Sequence, residues 1–464
     1  MAYINRRRFL MNATGFAATV PFLSSMTSTA ASAQAAGGYK ALVCVMLLGG
    51  LDGTEMIMPI DQPSHALLRS HRETLFNQYQ GRSDPANLLD LNVDLNGRRV
   101  GLIPEMTALH QLYQAGEAAV VANIGPLVEP TDRNSYYALG SRQPSKLFSH
   151  NDQQSTWLSG GPEGTATGWG GRFLDSHFRR SPGDNPVFAA LATGDAHAFL
   201  TGKQTRYLGM PVGAPVLYSA NRENWRLGSG RQDAALHEII ERHHRATGYA
   251  SANLFERDLH ATSRSAVDNL KRYNDVVFAQ DPFAGAFPNT GIGRQLEQVA
   301  RTIHASQGLE TSRQIFYVQI GGFDTHANQA NTLGPLMKSV SDAIGAFSRA
   351  MQASGRNQDV TLFTASDFGR TVVGNSDGTD HGWAGHQFVV GGAVAGGRMI
   401  GQVRPYDLAD PYYLKGRGRL IPTIAVDQLA YTLGSWFGIN ETDLADALPN
   451  LANFSHKGLP LMRG

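Results

Sequence analysis

Six stretches of nearly continuous apolar residues punctuate the chain: KALVCVMLLGG (40–50), EAAVVANIG (117–125), PVFAALAT (186–193), RQIFYVQIGG (313–322), DVTLFTAS (359–366) and HQFVVGG (386–392). Each is short enough for a strand and too continuous for a strand with one wet face. They read as strands of a parallel sheet buried on both sides. Between them, PEMTALHQLYQAGE (104–117), RQLEQVARTIHAS (294–306) and NTLGPLMKSVSDAIGAFSRAMQAS (331–354) repeat apolar residues at a spacing near 3.6, which predicts helices. Alternating strands and helices predict an α/β fold: a mostly parallel central sheet with helices on both faces, in one domain over 40–464. A more polar helical pattern over 234–277 predicts a helical insertion near 230–290 beside that sheet. AQDPFAGAFPNTGIG (279–293) then reads as loop.

Composition narrows the classes. The chain has 464 residues, 42% of them hydrophobic, enough for a large core. A formal charge of +1 argues against electrostatic capture of nucleic acid. The single cysteine, Cys44, excludes an intramolecular disulfide and sits in an apolar run as a small core residue. At the N-terminus, NRRRFLM (5–11) precedes a modestly apolar stretch and then ASAQA (31–35), a small-residue cleavage site. Paired arginines followed by Phe9 and Leu10 resemble a twin-arginine signal peptide, here over residues 1–33. That resemblance implies a periplasmic or secreted protein and the twin-arginine export machinery as a partner. No later run reaches 18 apolar residues, so no membrane span is expected.

In open α/β sheets, chemistry gathers at the C-terminal ends of the strands. Three runs end there in an acid: LGGLDG (48–53), IGGFDTH (320–326) and TASDFGR (364–370). Asp52, Asp324, His326 and Asp367, with His381 from GTDHGWAGHQF (378–388), form a candidate metal set. Oxygen and imidazole ligands together suit zinc, manganese or iron better than calcium. Two ions about 4 Å apart hold both the attacking and the leaving oxygen of an in-line displacement. The plainer reading makes the acids helix and turn caps. Asp367-Phe368-Gly369 spells a kinase triplet, but no glycine-rich loop with a strand lysine lies upstream. G-x-S-x-G and the P-loop pattern are absent.

NRRRFL, LGGLDG, LHQLYQAGEAAVVANIG, LFSHNDQQ, GWGGRFLD, IGGFDTHANQ, SDFGRT and GTDHGW…HQFVVGGAVAGG follow one another in one order across nearly the whole chain. Together they resemble a bacterial exported family, domain of unknown function 1501. That family is similar in fold to the alkaline phosphatase and sulfatase superfamily, whose members use two metals on an anionic ester. The resemblance implies an alkaline-phosphatase-like three-layer sandwich. It makes Asp52 look like the first metal acid, and Asp324 and His326 like the Asp…His pair of one ion, with an unusually short spacer. His381 looks like the late histidine of that ion. Asp367 resembles the acid of a second Asp-His pair, but Phe368 stands where the histidine belongs. The expectation is a zinc at Asp324, His326 and His381 and a second zinc, magnesium or manganese at Asp367 and Asp52. Ser149, ahead of an expected helix in LFSHNDQQSTWLSGG (147–161), falls where the superfamily keeps its nucleophile. It also suits a helix cap with Asp152, the stronger of the two readings; a further alternative has His150 and Asp152 face the metals. Arg370 and Arg142 are candidate clamps for an anionic oxygen. The implied function is an exported, two-metal hydrolase of a phosphate or sulfate ester, its substrate an anionic small molecule or glycan ester. The alternative is a non-catalytic periplasmic binding or assembly protein that keeps the fold.

Overall fold

Alternate residues of the first strand enter two different cores. Ala41, Val43, Val45 and Leu47 join one buried cluster, and Leu42, Cys44 and Met46 the other. This is the signature of a strand covered on both faces. The computed structural model describes residues 38–196, 198–210 and 253–463, with 212 and 242 besides. The signal peptide expected over residues 1–33 and most of the region 213–252 therefore lie outside the described residues.

In chain order the strands are β1 (Lys40–Leu47), β2 (Ile57–Pro59), β3 (Leu89–Asp90), β4 (Val100–Leu102), β5 (Ala118–Gly125), β6 (Ala190–Ala192), β7 (Leu208–Gly209), β8 (Arg313–Ile320), β9 (Val360–Ser366), β10 (Arg370–Gly374), β11 (Thr379–His381), β12 (Gly385–Val390), β13 (Arg398–Ile400) and β14 (Ile424–Ala425). The central sheet runs β13-β5-β12-β9-β1-β8-β6-β7, with β14 beside β5. Its strands are parallel except β12, which is antiparallel to both β5 and β9. That corrects the reading of HQFVVGG as one more parallel strand. After β9 the chain makes the β10–β11 hairpin and returns directly, without the crossover that a parallel neighbour needs.

Helices Gly291–His304 and Gln329–Ala353 lay Leu296, Val299, Met337, Val340 and Ile344 on one face of the sheet. Helices Trp169–Arg180 and Val426–Phe437 lay Phe173, Leu174, Leu429 and Leu433 on the other. The result is a three-layer α/β sandwich. The helix expected over 104–117 opens as a 3-10 turn at Pro104–Met106 and ends at Gln114. Within the expected insertion, Leu254–Val277 is a helix. A small antiparallel sheet, β2-β4-β3, carried no signal in the hydrophobic pattern. Among the described residues, no helix is long and apolar enough to cross a membrane.

Candidate metal centre

The three strands that end in acids are neighbours, and their ends are level: Leu47 pairs with Ile320 on β8 and with Ser366 on β9. Their exit loops therefore leave one edge of the sheet side by side. The exit of β1 requires its two glycines. Gly49 (φ +117°) and Gly50 (φ +88°) adopt backbone that side chains resist, and both run under the neighbouring loops. A Cβ on Gly49 would meet the Asp324 backbone nitrogen at 2.3 Å, and one on Gly50 would meet the Phe368 ring at 2.4 Å.

Over these loops, three imidazoles turn toward one carboxylate. His326 Nε2 lies 3.1 Å and His381 Nε2 3.3 Å from Asp324 Oδ1, and His150 Nε2 is 3.6 Å from Asp324 Oδ2. The other nitrogen of each ring faces a protein oxygen. His381 Nδ1 is 2.8 Å from the Phe148 carbonyl, His150 Nδ1 2.6 Å from Asp367 Oδ2, and His326 Nδ1 3.5 Å from Asp380 Oδ1. A carbonyl only accepts, so His381 keeps its proton on Nδ1 and presents a lone pair at Nε2. Phe368, buried, supports two of the rings, with centroids 4.8 Å from His150 and 4.6 Å from His381.

These residues fit a divalent ion. Bonds of about 2.0–2.1 Å to a tetrahedral zinc set ligand atoms about 3.3 Å apart. The His326 and His381 Nε2 atoms are 2.8 Å apart, a hydrogen-bond distance at which a His326 Nε2–H donates to the His381 lone pair. His150, Asp324 and His381 offer ligand atoms all within 4.8 Å of one another. Burial alone would raise the Asp324 carboxyl, but the Arg370 hydrogen bond and charge outweigh it and hold Asp324 below the usual carboxylate range. Burial lowers His381, and the neighbouring His150, Arg370 and His326 push the same way against its bond to the Phe148 carbonyl. The hydrogen bond to Asp367 raises His150 against its own burial.

Of the candidates named from sequence, Asp324, His326 and His381 are brought together. Asp367 stands one step back, where its Oδ2 accepts from His150, from Gly49 N–H at 3.1 Å and from Gln154 at 2.9 Å; its Oδ1 is buried without a partner among the described residues. Asp52 is not brought to the centre. Its Oδ1 accepts from Thr54 N–H, Glu55 N–H and Arg72, and its Oδ2 from Arg72 and Gln329. It is the cap of the short helix Gly53–Met56, as the plainer reading had it.

Arg370 is not a free clamp for an anion. Its guanidinium is buried and donates to the carbonyls of Gly50, Thr379, Gly49 and Phe323, and to Asp324. Arg142 pairs with Glu129. Ser149 occupies the N-cap position of helix His150–Ser159, yet its hydroxyl donates to Asp152 Oδ2 at 2.9 Å and makes no capping bond to the backbone. His150, the next residue, faces the centre, whereas Asp152 binds Ser149 and the Glu163 N–H. Sequence reading missed the partners Arg72, Asp380 and Gln154, which no local pattern marks.

Fold and site define a class: an α/β sandwich with an imidazole–carboxylate cluster at the ends of its parallel strands. Residues 39–412 match the family described as "Protein of unknown function (DUF1501)", and the chain belongs to it. No curated protein matches it in sequence. Similar solved structures include the phosphonate monoester hydrolase of Silicibacter pomeroyi (10% identity, 86% of this chain and 74% of the other, TM-score 0.35). The PsFucS1 sulfatase of Pseudoalteromonas sp. is comparable (10%, 91% and 71%, 0.34). So is the lipoteichoic acid synthase LtaP of Listeria monocytogenes (10%, 89% and 77%, 0.31). At these scores the likeness is one of outline.

Proposed function

We propose that this chain is an exported, metal-dependent hydrolase of phosphate or sulfate esters. The observation that carries the reading is the convergence of three imidazole Nε2 atoms on the Asp324 carboxylate. Asp324, His326, His381 and His150 are the residues that would hold the ion. A bound divalent ion there supplies a Lewis acid toward an ester oxygen. Arg370 keeps Asp324 ionised and in place, the Phe148 carbonyl and Asp367 fix two ring orientations, and Phe368 closes one side of the centre to water. Basic side chains lie near it, two of them paired with acids. Arg419 donates to the His381 carbonyl at 2.8 Å, Arg417 pairs with Asp380 at 2.5 Å, and Lys146 is exposed 3.7 Å from Asp152. Arg419, which has no carboxylate among these contacts, supports an anionic substrate. If Ser149 is the attacking group, Asp152 already receives its hydroxyl proton in a hydrogen bond. The arginines of NRRRFL support export through the twin-arginine route.

A second reading, a binding protein without turnover, draws on two features: the Ser149 hydroxyl is turned to Asp152, and Arg370 is spent on backbone carbonyls. Ion removal separates the two. Chelated protein should cleave neither an aryl phosphate nor an aryl sulfate, and added zinc should restore cleavage of one of them. His381→Ala should lose at least about 100-fold under the same conditions, the upper end of what even an outer partner of a metal ligand costs. Protein that binds zinc and cleaves neither ester would leave the binding reading standing.

A further inference from the structure

The superfamily resemblance builds a second ion from three positions, Asp52, Asp367 and residue 368. The structure treats each of them differently. Asp52 is completely buried, and five donors, two of them from the Arg72 guanidinium, occupy both of its oxygens. A carboxylate neutralised in this way inside the protein would have to give up a buried ion pair before it could bind a metal. Residue 368 is a phenylalanine whose ring packs against both His150 and His381, which also touch each other. Among the described residues Asp367 retains one unpartnered oxygen, Oδ1, while Oδ2 takes three hydrogen bonds. One oxygen is a poor protein share for a resident ion, since structural and catalytic zinc sites draw three or four ligands from the chain.

The first position, by contrast, gains a ligand. His150 comes from the start of helix His150–Ser159 and adds a third imidazole on the far oxygen of Asp324. Its Nδ1 is held by Asp367 at 2.6 Å, and Gln154, one helical turn on, holds the same Asp367 oxygen at 2.9 Å. This is the carboxylate–histidine arrangement that orients a metal-bound imidazole from behind.

Resting on the metal-dependent reading above, we infer that the centre holds a single resident divalent ion, ligated by Asp324, His150, His326 and His381, with Asp367 as a positioning carboxylate for His150. Asp52 and Arg72 form a structural ion pair in place of the second site. The ion thus sits among three nitrogens and one oxygen, a set that selects zinc or another late transition metal over magnesium and calcium.

The full chain, loaded with zinc and desalted, should carry one zinc per chain by elemental analysis. Two would overturn the single-ion inference and leave the metal-dependent reading in place; none would overturn both. Competition against a chromogenic chelator tests the assigned roles. Asp367→Asn should still bind one zinc per chain with affinity reduced about 10- to 100-fold, as for other second-layer partners, and His150→Ala should be weaker still. Unchanged affinity in either variant would remove that residue from the centre. Cobalt substitution supplies a readout independent of folding loss. The visible spectrum of His150→Ala should shift because a nitrogen ligand is gone, and that of Asp367→Asn should keep the wild-type band pattern. An unshifted His150→Ala spectrum would overturn its place as a ligand.

Discussion

Arg72 places its guanidinium on both oxygens of Asp52, at 2.7 and 3.1 Å, and sends two more donors to the Val372 and Thr371 carbonyls. Both side chains are at most 1% exposed. Removing one partner of such a pair leaves an uncompensated buried charge, which costs about 3–5 kcal/mol. Asp52→Ala should therefore lose stability of that order in urea unfolding, and the folded fraction should bind zinc as the wild type does. A folded Asp52→Ala protein that had lost its ion would return Asp52 to the ligands. From sequence, Asp52 had the right chemistry at the right strand end. Its capture by Arg72, 20 residues later, depends on where helix Gln62–His71 ends, and nothing in LGGLDG reports that. His150 was equally hard to assign, because its partner Asp367 lies 217 residues downstream and only the fold brings the two together.

The exit loops of β1, β8 and β9 act as a unit, and the glycines of β1 are what let them stack. Gly50→Ala would push its Cβ into the Phe368 ring that supports His150 and His381, in addition to straining a φ of +88°. Gly97→Ala is the matched control, with φ +81° and no heavy atom within 4 Å of the added Cβ. Each should lose roughly 1–3 kcal/mol from backbone strain. Only Gly50→Ala should also weaken zinc binding, as read by chelator competition; equal affinity in both would sever the loop from the centre. At this scale much was legible. Long apolar runs and 3.6-spaced faces located β1, β5, β8 and β9 and the helices Gly291–His304 and Gln329–Ala353. The direction of β12 was not legible, because a continuous apolar run is the same read in either direction. The hairpin that reverses the chain, β10–β11, also carries Arg370 and His381 at its open end.

Across the molecule, two buried groups tilt stability in opposite directions with pH. His386 is fully buried, its Nδ1 accepting from the Asn123 N–H, and burial lowers it from 6.5 to about 4. Its unfolded form takes up a proton that its folded form refuses, so its contribution is present above pH 6.5 and is lost as pH falls toward 4. Glu55, also buried, is raised from 4.5 to about 7 by desolvation and by the Asp52 charge. Here the folded form holds the extra proton, so stability declines as pH rises from 4.5 to 7. Between pH 4.5 and 6.5 the two nearly cancel. In metal-free protein, His386→Gln should make stability fall with rising pH relative to the wild type, and Glu55→Gln should make it rise, each by about 1.4 kcal/mol per pH unit. Urea unfolding across that window checks both signs, and parallel profiles for all three proteins would contradict them.

The same architecture places strands from distant parts of the chain side by side, so that Asp324, His326, His381 and His150 meet at one sheet edge. Whether that meeting is catalytic is tested most directly by titrating zinc into the chelated full chain while following cleavage of aryl phosphate and aryl sulfate. Activity toward one ester should rise from nothing and level off at one zinc per chain. An ion bound at that ratio with no cleavage of either ester, or full cleavage with no ion bound, would contradict a metal-dependent ester hydrolase.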